Sequence, residues 1–233
     1  HTGLAQIGRG IYKACIANNM LYAADLSASN NLAPIHDLNT MTSPMDASNG
    51  MAVDHLGRLY VVNGPTGAIP KVVRVILDDN NPLNVVDQQD WLTTGLEFPN
   101  GIVFDGQQTF YITDSSVVNV QFGTVKRVVL NADGSAGTPQ TIFVSNSILD
   151  DISLTADGRI LVSGFSTGQV FLLDSDGTLL QQTNPQTWRA ASAVQQGQPP
   201  LFSDTDILVT DKGVIGDQNS NIGNVLTVFR ATP

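Results

Sequence analysis

One short segment recurs three times along the chain at nearly equal intervals. It stands at 47–54 (ASNGMAVD), 98–105 (FPNGIVFD) and 148–155 (ILDDISLT), and each copy leads into a polar turn and a second apolar run. Asn49 and Asn100 are 51 residues apart, and Asn100 and Asp150 are 50 residues apart. Repetition at this period predicts an array of similar structural units rather than one continuous layer.

The apolar runs between the turns have the length and composition of β-strands. Runs such as 59–62 (LYVV), 110–113 (FYIT) and 160–163 (ILVS) are rich in β-branched and aromatic residues, and Gly, Asp and Asn separate them. No stretch of ten or more residues shows a helical period. Several short strands in each repeat of about fifty residues are typical of a β-propeller blade. We therefore predict an all-β fold of the β-propeller class.

The repeats also predict how the chain is organised. We expect residues 1–233 to form a single propeller domain with about five visible blade repeats. These repeats are predicted to open near Ile11, Asn49, Asn100, Asp150 and Ala191.

Polar residues open three of these repeats. The innermost strand of a propeller blade begins at the central channel, so we expect Asn49, Asn100 and Asp150 to converge at one mouth of it. Amide and carboxylate oxygens are the ligands that Ca²⁺ prefers, which predicts a site for Ca²⁺ or a similar divalent cation. The alternative interpretation is that these are turn residues entering a strand, as Asn and Asp often are.

Composition restricts the class of partner. The chain carries 11 Lys and Arg against 21 Asp and Glu, a net charge of -10. Such a surface repels phosphate backbones and anionic lipid, so we expect neither nucleic acid nor membrane as a partner. No apolar run approaches the length of a membrane span. The single cysteine, Cys15, excludes an internal disulfide, and the acidic, lysine-poor composition favours an extracellular over a cytoplasmic location.

The segment Pro99-Asn100-Gly101, followed by Phe104-Asp105 and the run 110–115 (FYITDS), resembles the SMP-30/gluconolactonase-like β-propellers. That group is six-bladed and includes calcium-dependent lactonases and phosphotriesterases. The resemblance implies that Asn100 is a metal ligand and that Asn49 contacts metal or substrate. It also implies that Asp150 is a metal ligand and, as in the lactonases, the general base.

The chain departs from the family pattern at several positions. The glutamate that the family supplies from its first blade has no counterpart, because Glu97 is the only glutamate and lies in another repeat. Asp150 is preceded by Leu149 where the family has Pro and followed by Asp151 where the family has Gly. Regular alternation along a strand would place the Asp151 side chain on the face opposite to that of Asp150.

These observations predict a metal-dependent hydrolase of a lactone or related ester, in which Asp150 activates water for attack on a small-molecule substrate. Two alternatives stay open. One is a biosynthetic propeller enzyme that cyclises an apolar intermediate, pericyclase-like, without metal; the other is a non-catalytic ligand-binding propeller. The residues expected to line a substrate pocket are Met45, Phe98, Leu149, Ser115 and Ser163.

Overall fold

β-strands, joined by turns and loops, make up the regular structure of the chain. The computed structural model describes residues 3–26, 31–39, 43–64, 66, 68–116, 122–212 and 224–230. Nineteen strands and no helix occur in these residues, so the all-β prediction is confirmed. Accordingly, this part of the chain contains no helix that could cross a membrane.

Consecutive strands are neighbours in five sheets, the arrangement of propeller blades, which confirms the predicted fold class and the five visible repeats. The first sheet has the order β1-β2-β3-β4 and the second β5-β6-β7-β8. Their strands are β1 (Leu4–Ile7), β2 (Gly10–Cys15), β3 (Met20–Asp25), β4 (Ala33–Asp37), β5 (Ser48–Val53), β6 (Leu59–Asn63), β7 (Lys71–Leu77) and β8 (Val85–Leu92).

The third sheet has the order β12-β11-β10-β9, the fourth β13-β14-β15-β16 and the fifth β17-β18-β19. Their strands are β9 (Pro99–Phe104), β10 (Thr109–Ser115), β11 (Gly123–Val129), β12 (Gln140–Ser145), β13 (Leu149–Leu154), β14 (Ile160–Gly164), β15 (Gln169–Leu173), β16 (Leu179–Gln182), β17 (Ala191–Gln196), β18 (Asp206–Asp211) and β19 (Val225–Arg230). The openings of β5, β9, β13 and β17 agree with the predicted repeats to within one residue.

The first sheet begins earlier than the sequence predicted. Its first strand is β1, which starts at Leu4, whereas Ile11 lies inside the second strand, β2. Strand β1 alternates between exposed and half-buried residues, and the Leu4 side chain is 64% exposed. Its inward residues, Ala5 and Ile7, are only half-buried against the core, and four residues are too few to give a clear alternation in the sequence.

The chain divides into two compact units. The first unit comprises His1–Ile112 and Arg127–Pro139, and the second comprises Thr113–Lys126 and Gln140–Pro233. The boundary falls within β10 and β11. Each unit has an apolar core of its own, as its buried side chains show.

Aromatic rings form the centre of the first unit's core. Tyr60, Trp91 and Phe110 are buried, with ring centroids 4.6–4.9 Å apart. Phe104 extends this cluster at 4.7 Å from Phe110. Tilted and edge-to-face pairs at these distances stabilise a core beyond the area they bury. The cluster packs β6, β8, β9 and β10 together.

The second unit has a smaller aliphatic core. Strand β14 contributes Leu161, β15 contributes Val170 and β18 contributes Val209. Trp188, which precedes β17, packs against them and is only 6% exposed. This packing joins β14, β15, β17 and β18. Strand β13, which carries Asp150, contacts β14 and β17.

A buried side chain at the end of a second strand fixes the opening of the first strand in two of the sheets. In the first unit, Asn63 Oδ1 accepts the backbone N–H groups of Asp46 and Ala47, at 3.0 and 2.9 Å. Its Nδ2 donates to Asp46 Oδ1 and to the carbonyl of Ile69, both at 2.9 Å. Because Asn63 is 1% exposed, these bonds form away from water and hold the chain just before β5.

The second unit repeats this device with a carboxylate. Asp211, at the end of β18, accepts the backbone N–H groups of Arg189 and Ala190 at 3.1 and 2.9 Å. These groups precede β17 directly, as Asp46 and Ala47 precede β5. A polar side chain at this position therefore sets where the innermost strand begins.

We expect Asn63→Ala to lower the free energy of unfolding by about 3 kcal/mol, because it leaves buried backbone donors without an acceptor. Asn80→Ala, in an exposed turn, should change it by less than about 0.5 kcal/mol. Urea unfolding of the two variants and the parent measures both values. Equal stability of the two variants would contradict the role given to Asn63.

Candidate functional site

The two asparagines predicted for the site meet in the first unit. Asn49 lies in β5 and Asn100 in β9, the innermost strands of adjacent sheets. Asn49 Nδ2 donates a hydrogen bond of 2.5 Å to Asn100 Oδ1. The two side chains are only 4% and 7% exposed. These two positions therefore lie in direct contact in the first unit.

Glycine at position 50 permits this contact. A Cβ added to Gly50 would lie 2.4 Å from the carbonyl oxygen of Asn100 and 2.9 Å from the Cα of Gly101. Any larger residue would push β5 and β9 apart and separate the amides. The Asn-Gly sequence therefore has a packing reason beyond its preference for turns.

The opening of β5 is held from the first sheet as well. Asn19, between β2 and β3, accepts the Ser48 backbone N–H at 3.1 Å and the Ser48 hydroxyl at 3.4 Å. Asn19 has φ of 52°, a left-handed conformation that Asn adopts more readily than most residues. Since Ser48 precedes Asn49 directly, Asn19 and Asn63 together fix the backbone that carries the first amide.

Asp150 belongs to the second unit, where it lies in β13 and is 4% exposed. Hydroxyl groups hold its strand. Thr113 Oγ1 donates to the carbonyl of Asp150 at 2.7 Å, and Ser115 Oγ accepts the N–H of Leu149 at 3.4 Å. Ser163 Oγ accepts the N–H of Asp151 at 2.8 Å. The backbone on both sides of Asp150 is thereby fixed.

The strand that carries Asp150 is irregular at this point. The pairing of β13 with β14 shifts between Leu149 and Ile152, so that one extra residue is accommodated, as in a β-bulge. The pairing of β5 with β6 shifts at the equivalent place, between Ser48 and Met51. Regular alternation of side chains therefore does not hold at this point of β13. Alternation consequently does not place the Asp151 side chain on the face opposite to that of Asp150.

Asp151 has an unusual protonation equilibrium. Burial among protein groups raises the pKa of Asp151 to about 7, and the neighbouring charge of Asp150 acts in the same direction. The backbone N–H of Ile152 opposes this shift only in part. Asp151 keeps some solvent-accessible surface, so the residue is half-buried.

The bulges identify a further residue that sequence reasoning missed. The pairing of β17 with β18 shifts between Ala191 and Ala193, which places Ser192 where the other sheets have Asn49 and Asp150. Ser192 is half-buried, and its hydroxyl lies 3.1 Å from that of Thr210. Serine is common everywhere, so only the register of the fifth sheet reveals the equivalence.

The residues predicted to line a substrate pocket have different environments. Met45 and Leu149 are fully buried, and Met45 packs in the core of the first two sheets, so neither presents surface to a ligand. Ser115 and Ser163 are buried, with hydroxyls bonded to the backbone of β13. Phe98 is half-buried next to β9, and for it the pocket assignment stays a prediction.

The donor chemistry favours a hard cation. No group of three or more His, Cys, Asp or Glu side chains that could hold a metal occurs in the described residues. The candidate donors are oxygens, the amide of Asn100 and the carboxylate of Asp150. Such donors fit Ca²⁺ better than Zn²⁺, which prefers nitrogen and sulfur.

Comparisons with known proteins support the fold. Neither a protein-family model nor a curated protein sequence matches the chain. Solved structures do match, and the comparison confirms the resemblance to SMP-30/gluconolactonase-like propellers at the level of the fold. The identities of 15–20% carry no assignment of activity.

Three of these structures have a named activity or ligand. A gluconolactonase from Xanthomonas campestris has a TM-score of 0.69 and 17% identity, over 94% of this chain and 67% of the other. Regucalcin from Agrobacterium tumefaciens, a calcium-binding protein, has a TM-score of 0.66 and 20% identity, over 97% and 73%. A luciferin-regenerating enzyme has a TM-score of 0.66 and 15% identity, over 97% and 76%.

The raised pKa of Asp151 predicts how stability changes with pH. The folded protein keeps the proton that the unfolded chain loses near pH 4, so stability falls as pH rises from about 4 to 7 and then levels off. The Asp151→Asn variant has no titrating carboxyl at this position. Above pH 7 its free energy of unfolding should therefore exceed that of the parent by at most about 4 kcal/mol.

Chemical denaturation of both proteins in buffer with a chelator, between pH 4 and pH 8, measures the difference. The chelator removes the effect of any cation at the neighbouring Asp150. A stability difference that stays constant across this range would show that Asp151 titrates normally.

Proposed function

We propose that the protein is a metal-dependent hydrolase of lactones or related esters. The observation that carries the proposal is the buried pair formed by Asn49 and Asn100 at the openings of two adjacent innermost strands. Support comes from the fold, which resembles that of a gluconolactonase and of a calcium-binding regucalcin. The activity and the cation are inferences for this chain.

Asn100 is the amide that would bind the cation. Its side-chain oxygen accepts the N–H of Asn49 and so is held in one position. An amide oxygen is a ligand that suits a hard cation. Asn49 would then orient Asn100 and present its own carbonyl oxygen to the substrate. This division of roles explains why two amides lie where one ligand would suffice.

Asp150 enters the proposal through the sequence repeat, since it occupies in its sheet the position that Asn49 occupies in the second sheet. It is the carboxylate that would both balance the charge of the cation and accept a proton from water. A bound divalent cation would supply polarisation of the substrate carbonyl. Thr113 and Ser163 hold the backbone next to Asp150 and so limit the positions that its carboxylate can take.

The test is hydrolysis of a panel of aldonolactones and aryl esters with and without Ca²⁺. We expect calcium-dependent turnover in the parent protein. Asp150→Asn should lose about 10²–10⁴-fold in kcat, the usual loss on removal of a general base. Asp151→Asn, changed in the same way one residue further on, should retain most of the activity.

The same panel separates the alternatives. Calcium binding without turnover of any lactone or ester would leave a ligand-binding propeller, and metal-independent conversion of an apolar polyene would indicate a cyclising enzyme. Loss of activity in Asp151→Asn with activity kept in Asp150→Asn would show that the register assigned to β13 is wrong.

A further inference from the structure

A cavity lies in the first unit, at the ends of β5 and β9 that point away from Asn49 and Asn100. Its volume is about 410 Å³, within the range of about 300–1,000 Å³ that ligand pockets usually have. Residues that follow β5, residues that precede β10 and the turn 130–134 line it. Strands of this length place it roughly 16 Å from the paired amides, so the proposed hydrolase site does not include it.

A fixed guanidinium lies at this cavity. Arg58 Nε donates to Asp54 Oδ2 at 2.6 Å. The Asp54 carboxylate also accepts the N–H groups of Leu56 and Arg58 and the hydroxyl of Tyr60, and these bonds keep it ionised, with its pKa lowered. The terminal nitrogens of Arg58 have no hydrogen-bond partner among the described residues. They form a fork of donors whose position the buried carboxylate sets.

One wall of the cavity is a rigid turn. The Gly134 carbonyl accepts hydrogen bonds from Trp91 Nε1 at 3.1 Å and Arg74 Nη1 at 3.3 Å. Gly134 has φ of +83°, and an added Cβ would lie 2.7 Å from Arg58 Nη1, so only glycine fits beside the fork. This turn also carries Asp133, another residue that lines the cavity.

Acceptor groups come from this turn. Asp133 Oδ1 is held by the N–H and the hydroxyl of Ser135, which leaves its second oxygen without a partner among the described residues. Asn131 Nδ2 donates to the Ser135 hydroxyl at 2.9 Å, and its carbonyl oxygen has no such partner either. The wall therefore places two acceptors near the donor fork of Arg58.

Another part of the lining combines the amide of Gln107 with the apolar surface of His55 and Leu56. Gln107 is exposed, and its side chain has no hydrogen-bond partner in the described part of the chain. The His55 ring stacks on Phe104 with centroids 5.8 Å apart, and Leu56 beside it is 65% exposed. Asp105 accepts the N–H of Gln107 at 2.8 Å, which fixes the turn.

The charges do not favour an ion as the ligand. Asp54 neutralises Arg58 directly, and Asp133 is ionised because its bonds to Ser135 lower its pKa. An anion would meet this carboxylate and the net charge of -10, and a cation would meet the guanidinium. A ligand with hydroxyl groups can both accept from the fork and donate to the acceptors, while its C–H faces cover His55 and Leu56.

We propose that this cavity binds a neutral polyhydroxylated ligand, of the size of a mono- or disaccharide. The binding is independent of the proposed hydrolysis, since the cavity shares no residue with it. Arg58 and Gln107 donate to ligand hydroxyls, Asn131 and Asp133 accept from them, and the turns hold these groups in place before the ligand arrives.

The experiment is ¹H–¹⁵N NMR titration of the whole chain with glucose, galactose, maltose and cellobiose in calcium-free buffer. We expect saturable shifts at the backbone amides of the turns 55–58, 106–108 and 131–134 and smaller shifts elsewhere. Asn100→Ala, which disables the proposed hydrolase, should titrate like the parent. This variant separates failure of the cavity proposal from failure of the hydrolase proposal.

Variants distinguish binding at a specific site from weak association with the surface. Gln107→Ala, in an exposed turn, and Arg58→Lys, which keeps a cation for Asp54 but removes the fork, should each raise Kd at least about fivefold. Gln181→Ala, exposed on β16, should leave Kd unchanged. The proposal fails if no sugar saturates the shifts below about 50 mM, or if the variants bind like the parent. Tighter binding of glucuronate or inorganic phosphate than of the neutral sugars would also overturn it.

Discussion

The hydrogen bond between Asn49 and Asn100 is the interaction on which the candidate site in the first unit depends. It forms because Gly50 lets the backbones of β5 and β9 approach closely, and because Asn19 and Asn63 fix the chain on either side of Ser48. Buried polar groups are stabilised by hydrogen-bond partners, and this bond supplies one partner to each of the two amides. A site of this kind is preorganised at the cost of a less apolar core.

The sequence predicted the fold class and most strand openings because the repeat is strong where strands have a buried face. It missed β1, because this strand has four residues, its first residue Leu4 is largely exposed, and its inward residues are only half-buried. The convergence of Asn49 with Asn100 followed from the spacing of the repeats alone. The spacing did not predict the environment of Asp150 in the second unit, because the hydroxyl groups that bind its strand come from distant positions in the sequence.

Other features depend on packing and register that a sequence does not show. Met45 and Leu149 are apolar residues near polar openings, and only their complete burial shows that they belong to the core. The bulge in β13 interrupts regular alternation, so alternation along the sequence does not determine the face on which Asp151 lies. The cavity beside Arg58 combines three turns, and its unused donors are visible only once the partners of each group are known.

In the proposed site, Asn49 affects calcium affinity by orienting Asn100. A double-mutant cycle on calcium affinity is the most direct test of this coupling. Calorimetric titration of the parent, Asn49→Ala, Asn100→Ala and the double variant supplies the four Kd values. We expect Asn49→Ala to weaken binding about tenfold in the parent but less than about twofold in the Asn100→Ala background. Equal, additive losses in both backgrounds, or a Kd unchanged by Asn100→Ala, would contradict it.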